Sequence, residues 1–115
     1  MFVSTADAAD ELAPWDAAEQ VRRSMFTAQG SLLRGDADEA ETEVTGAAQF
    51  YDEHLAATIA DRAPHAADHI AAAFADAHES VADGDGPGLA LARAWIWGGM
   101  LEAGTLVAIS SAGSR

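Results

Sequence analysis

The amino-acid sequence predicts an all-α fold, an antiparallel up-down-up-down four-helix bundle, and three observations carry that expectation. Breakers at Gly35, at Pro64 and through the run Asp83-Gly84-Asp85-Gly86-Pro87-Gly88 divide the chain into four long segments. Within each segment apolar residues recur at steps of three and four, the period of a helix with one buried side. Ala, Leu, Glu and Arg fill the segments, and no run of β-branched or aromatic residues reads as a strand.

Taken in order, residues 1–13 form a flexible N-terminal segment and residues 14–113 the bundle domain. The first helix runs from about Pro14 to Arg34. Proline suits its first turn, where a missing N–H leaves no bond unmade, and Val21, Met25, Ala28 and Leu32 form its seam. Gly35 stops it, and Asp36 caps a second helix expected to continue unbroken to about Arg62. Asp36 and Glu39 have the spacing of a capping box, and Ala40, Val44, Ala47, Tyr51 and Leu55 make the seam. Pro64 opens the third helix, which buries Ala66, Ile70, Phe74, Ala77 and Val81 and ends near Asp83. The fourth follows the glycine-rich stop and buries Leu89, Ala92, Ile96, Met100, Ala103 and Val107. Helices of about 20 residues joined by loops of about two to six make antiparallel neighbours the default.

At 115 residues the chain closes a single core. Nineteen acidic residues stand against six basic ones, all arginine, for a formal charge of −13. Such a surface repels itself and needs concentrated salt to screen it, so the composition reads as halophilic adaptation. It argues against nucleic acid as a partner, because phosphate backbones are repelled in the same way. The acidity identifies no cation-binding function, since it belongs to the whole surface. Without cysteine there are no disulfides, thiol nucleophiles or thiolate metal sites. The N-terminus has no basic stretch followed by an apolar run, hence no signal-peptide pattern. The apolar stretch 88–112 contains Arg93 and Glu102, each costing about 2.5–3.5 kcal/mol at a bilayer midplane, so no direct membrane span is expected.

The best candidate ligands are His65 and His69, four residues apart on one side of the third helix, a spacing that can chelate a divalent metal. At about 100° per residue Asp61, Asp68 and Asp76 fall within roughly 60° of His65, whereas Ile70, Phe74, Ala77 and Val81 fall roughly 120–180° away. The histidine side therefore points away from the core, unlike bundle-core metal sites whose ligands converge from several helices. Two readings stay open: a solvated acidic side whose histidines are incidental, or a surface or inter-subunit site for iron or another divalent metal. His54 and His78 stand next to Glu53 and Glu79 in sequence and read as boundary histidines satisfied by a neighbouring carboxylate. No strand-turn-helix elbow surrounds Ser24, Ser31 or Thr45, and Gly84-Asp85-Gly86-Pro87-Gly88 lacks the lysine and the strand of a phosphate loop. No paired acid and base can be placed facing one cavity, so no catalytic residue is assigned and an enzyme is not expected.

The fourth helix is apolar on a second side. Leu91, Trp95, Leu106 and Ile109 project at roughly 100–160° from Leu89, with Trp97 on the flank. Extra burial inside the bundle accounts for such a stripe, and so does a homodimer interface or contact with a membrane or downstream domain.

The segments VRRSMFTAQGSLLRGDADEAE, YDEHLAATIADRAPHAADHIAAAFADAHESVADGD and LARAWIWGGMLEAGTLVA together cover much of the chain. They carry a Gly-Asp-x-x-Glu-Ala turn at Gly35 to Ala40, an acidic Val-Ala-Asp-Gly-Asp turn and a final Arg-x-Trp helix. In these features the chain resembles the helical domain that precedes the membrane part of some bacterial and archaeal iron permeases, and is similar to stand-alone halophile domains of unknown function. The resemblance implies an extracytoplasmic, non-enzymatic helical bundle that assists iron acquisition by presenting metal or docking partners near the transporter. The permease family carries iron on Arg-Glu-x-x-Glu motifs inside membrane helices, and this chain has no such motif. A ligand-free interaction or oligomerisation module is the alternative.

Overall fold

The computed structural model describes the backbone of residues 14–113 and the side chains of residues 15–104. The flexible segment expected over residues 1–13 lies outside these, as do the side chains of Leu106, Val107 and Ile109. The described chain forms five helices: α1 (Pro14–Leu33), α2 (Ala37–His54), α3 (Ala56–Arg62), α4 (Pro64–Asp83) and α5 (Gly86–Gly113). The all-α class therefore stands, while the expected second helix is two.

The break falls at Leu55, whose φ of −129° leaves the helical range although its N–H still donates to the Tyr51 carbonyl at 2.8 Å. Spacing explains it. The buried residues Ala47, Tyr51, Leu55, Ile59 and Ala63 follow one another at steps of four. Each step advances about 40° round a helix, so a straight rod would carry the stripe roughly 160° round its surface and lift Ile59 and Ala63 out of the core. Bending at Leu55 returns both to the inside. α3 then packs against α4 and α5.

The other two turns use one device twice. Gly35 and Gly84 adopt φ of 83° and 68°, a left-handed backbone that glycine enters without steric cost. Asp36 N–H donates to the Ser31 carbonyl at 2.9 Å and Asp85 N–H to the Ser80 carbonyl at 2.8 Å, closing the last turn of each helix. Each aspartate then caps the next helix, Asp36 Oδ1 accepting from Glu39 N–H at 3.1 Å and Asp85 Oδ1 from Gly88 N–H at 2.9 Å.

α1 packs on α2, α2 on α4, α4 on α5 and α5 on α1, so the contacts close a ring around one core. Val21, Met25, Val44, Ile70, Leu89 and Ile96 are fully enclosed there, each stabilising by about 1.5–3 kcal/mol relative to exposure. Of the described seam residues only Leu32 is half-buried rather than buried. Small side chains let the helices close up: a Cβ at Gly99 would stand 2.5 Å from Ile70 Cγ1, so α4 and α5 touch nearly backbone to side chain. Ser31 is buried too; its hydroxyl donates to Glu43 Oε1 at 2.7 Å and accepts from Arg34 Nη2 at 3.3 Å.

Candidate functional site

His65, Asp68, His69 and Asp76 all lie exposed on α4, on the side away from buried Ile70 and Phe74, as helical spacing requires. Asp61 is on a different helix. It belongs to α3, before the turn at Ala63, and its carboxylate lies 3.3 Å from Arg62 Nε. Among the described residues no three His, Asp or Glu side chains stand close enough together to hold a metal ion.

A carboxylate of another helix faces His69. Nδ1 of His69 lies 3.9 Å from Oε1 of Glu102 on α5, with the two side chains 64% and 46% exposed. That separation is too long for a hydrogen bond. It approaches the spacing of two donors sharing one ion, which at metal–ligand distances of about 2.1 Å lie about 3.0–3.4 Å apart. Glu102 is the only carboxylate of α5, which was the one clue to it in the sequence.

The register of α4 against α5 brings the pair together. Gly99 sits against Ile70, and a Cβ at Gly88 would fall 2.6 Å from Ser80 Oγ, so the two helices run antiparallel. Glu102 follows Gly99 by three residues while His69 immediately precedes Ile70. Leu91 and Trp95 precede Glu102 by eleven and seven residues, which puts all three within roughly 40° on the surface of α5. Leu91 and Trp95 are 59% and 61% exposed, so internal burial does not account for their half of the second apolar stripe. In sequence the histidines and this stripe are separate features; in the fold Glu102, which His69 approaches, lies on the same side of α5 as Leu91 and Trp95.

Other polar contacts tie the rest of the ring. His78 Nδ1 meets Glu41 Oε2 of α2 at 2.9 Å, and Thr45 Oγ1 donates to the same oxygen at 3.1 Å. Its partner is thus across a helix interface and not its neighbour Glu79, because consecutive residues diverge by about 100°. His54 packs its ring on Phe50, centroids 4.2 Å apart, rather than pairing with Glu53. Arg93 Nε donates to Gln29 Oε1 at 2.7 Å, linking α5 to α1. On the same flank Arg22 stacks over Trp97 at 5.8 Å and Arg93 over Phe26 at 5.6 Å. The Arg22 hydrogen bond holds the Glu19 carboxyl below its usual range, and Glu19 in turn raises Arg22. Burial, with the Asp52 charge second, pushes the Tyr51 hydroxyl up to about 12; its ring lies 5.6 Å from Phe74 in the core.

The cleft between α1 and α2, about 270 Å³, is open and lined by polar side chains including Gln20, Arg23, Ser24, Thr27 and Glu43. No helix among the described residues is long and apolar enough to cross a membrane. The family model that matches this chain is that of the iron permease FTR1 N-terminal domain, over residues 10–114. No curated protein and no solved structure gives a match.

Proposed function

The chain belongs to the iron permease FTR1 N-terminal domain family, and from that membership we propose that it is a non-enzymatic accessory domain of an iron-uptake system. It works outside the cytoplasm of a halophile and presents a divalent metal ion on the outer surface where α4 meets α5. The observation that supports this reading is the approach of His69 to Glu102, with His65 one turn away on the same side of α4. Imidazole nitrogen with carboxylate oxygen suits ferrous iron and its first-row neighbours. A donor set this open to water favours taking up and releasing an ion over shielding a reacting group.

Calorimetric titration with ferrous ion under anaerobic conditions, and with zinc, tests it. Saturable binding is expected, weakened at least tenfold when His65→Ala and His69→Ala are combined. No saturable heat, or binding unchanged in that double variant, rejects the site. The exposed Leu91 and Trp95 favour the second reading, a ligand-free oligomerisation module. In that case calorimetry stays silent while light scattering reports assembly.

A further inference from the structure

We infer that the metal site is completed by a second copy of this chain: two copies pair through the Leu91–Trp95 side of α5 about a two-fold axis, and one divalent transition-metal ion is held between their two His69–Glu102 pairs. This rests on the metal-presenting role proposed above and says how that site closes. One chain provides two donors at nearly the right separation, His69 Nδ1 and Glu102 Oε1 at 3.9 Å, and among the described residues no third that converges with them. A first-row ion such as zinc is typically held by four ligands. A two-fold axis beside Glu102 doubles the half-site into two imidazole nitrogens and two carboxylate oxygens, with no residue type that the chain lacks. A foreign partner would have to bring its own donors.

The apolar contact needed for pairing lies along the same side of α5 as Glu102. Leu91 and Trp95 share the surface stripe of Glu102 and are exposed, so pairing along that stripe would remove their apolar surface from water. Trp95 stands seven residues before Glu102 and position 109 seven after it, each about 10 Å along the helix. Antiparallel pairing of two α5 helices centred on Glu102 therefore sets position 95 of each copy against position 109 of the other, an isologous register in which both contacts are equivalent.

Charge makes the metal and the pairing depend on each other. Two chains of formal charge −13 repel, and the proposed contact sets two Glu102 carboxylates face to face. A divalent cation between them turns that repulsion into attraction. Without it the exposed apolar pair alone must overcome the charge of both chains. Ion uptake and dimer formation are then one linked equilibrium, each driving the other by the same factor.

The test uses the full chain with zinc as a redox-inert probe in molar salt, following mass by light scattering and metal content per chain. The expected result is a monomer in chelator and a dimer carrying one zinc per two chains when zinc is added. His69→Ala and Glu102→Gln should each lower zinc affinity at least tenfold and abolish the doubling of mass. Trp95→Asp, which leaves every donor intact, should also lower zinc affinity severalfold because it weakens the pairing, and Trp95→Gln should do so less. All three positions are exposed, and unchanged helicity by circular dichroism confirms that the variants fold. One zinc per monomer, bound equally well by Trp95→Asp, overturns this inference while leaving the proposed metal presentation standing. A dimer that persists in chelator and in Glu102→Gln overturns it as well. If no zinc is bound under any condition, both readings fall together.

Discussion

The stretch from Ala37 to Asp83 and the two helices that flank it in sequence share a core but are built from different surface chemistry. The stretch carries eleven carboxylates against one arginine, together with all four histidines. α1 and α5 carry three carboxylates, three arginines and all three tryptophans. Among the described residues the large hydrophobic side chains that stay exposed, Trp15, Phe26, Leu91 and Trp95 among them, lie on α1 or α5. The acidity of the chain is thus a property of α2, α3 and α4, where self-repulsion governs the surface. On α1 and α5 charge is balanced, and apolar contact and stacking govern it. Perturbations of the two regions should leave different signatures.

Salt should have the largest effect. Like charges closer than about 10 Å are only partly screened at 0.1 M ionic strength and almost fully screened in molar salt. Thermal unfolding followed by circular dichroism should shift upward by roughly 15 °C between dilute buffer and molar salt, about 2–4 kcal/mol for a domain of this size. Asp76→Asn combined with Glu79→Gln should shrink that shift. Glu19→Gln on α1 should not, because Glu19 already lies against Arg22 and Arg23. A high melting temperature in dilute buffer, unchanged by salt, would show that the acidic stretch costs the fold nothing.

Alkaline pH probes the point where the acidic stretch enters the core. The Tyr51 hydroxyl is held at about 12 against an ordinary value of 10.0, chiefly by burial. A raised value means that the unfolded chain loses its proton first. The contribution is therefore complete below about pH 10 and lost as pH climbs from 10 toward 12, by roughly 2–3 kcal/mol at most. Chemical denaturation across that range should show the decline, and Tyr51→Phe should flatten it. A decline of the same size in Tyr51→Phe would assign it to other groups.

A smaller effect separates two adjacent glycines of α5. Gly99→Ala forces a Cβ against Ile70 and should destabilise by about 1–3 kcal/mol, whereas the space around Gly98 is open. Gly98→Ala should stabilise by roughly 0.5–1 kcal/mol through helix propensity alone. Urea midpoints measured in chelator at low protein concentration give both signs. Equal effects at the two positions would mean that α4 and α5 are not as close as Gly99 and Ile70 imply.

These residues also mark how far the sequence is legible. The seams were readable because steps of three and four locate the inside of a helix without knowledge of its neighbours, and the outward side of His65 and His69 followed from the same arithmetic. The break at Leu55 was not, since Asp52-Glu53-His54 contains neither glycine nor proline and only the run of four-residue steps from Ala47 to Ala63 hints at it. Glu102 as the partner of His69, and Glu41 as that of His78, depend on which turns of separate helices come level. That register is set by contacts such as Gly99 on Ile70, which no local pattern encodes. For the same reason the candidate metal ligands and the apolar stripe of Leu91 and Trp95 read as unrelated until α4 and α5 were side by side.

The smallest effect tests whether the arginines of the flanking helices serve as charges or as shapes. Arg93 donates to Gln29 at 2.7 Å and lies over the Phe26 ring, so a planar guanidinium satisfies a hydrogen bond and a ring face at once. A lysine ammonium keeps the charge but cannot do both from one position. Arg93→Lys should therefore destabilise by about 0.5–1 kcal/mol with net charge unchanged. Arg62 offers the contrast: it is exposed on the acidic stretch, and its ion pair is with the adjacent Asp61. Exposed pairs contribute about 0–1 kcal/mol and depend on charge alone, so Arg62→Lys should be close to neutral. Molar salt sharpens the difference, because it screens what remains of the Arg62 pair and leaves the stacking of Arg93 on Phe26 largely in place. If Arg93→Lys proves as silent as Arg62→Lys in both low and high salt, stacking contributes nothing on α1 and α5, and their balance of charge must be explained by pairing alone.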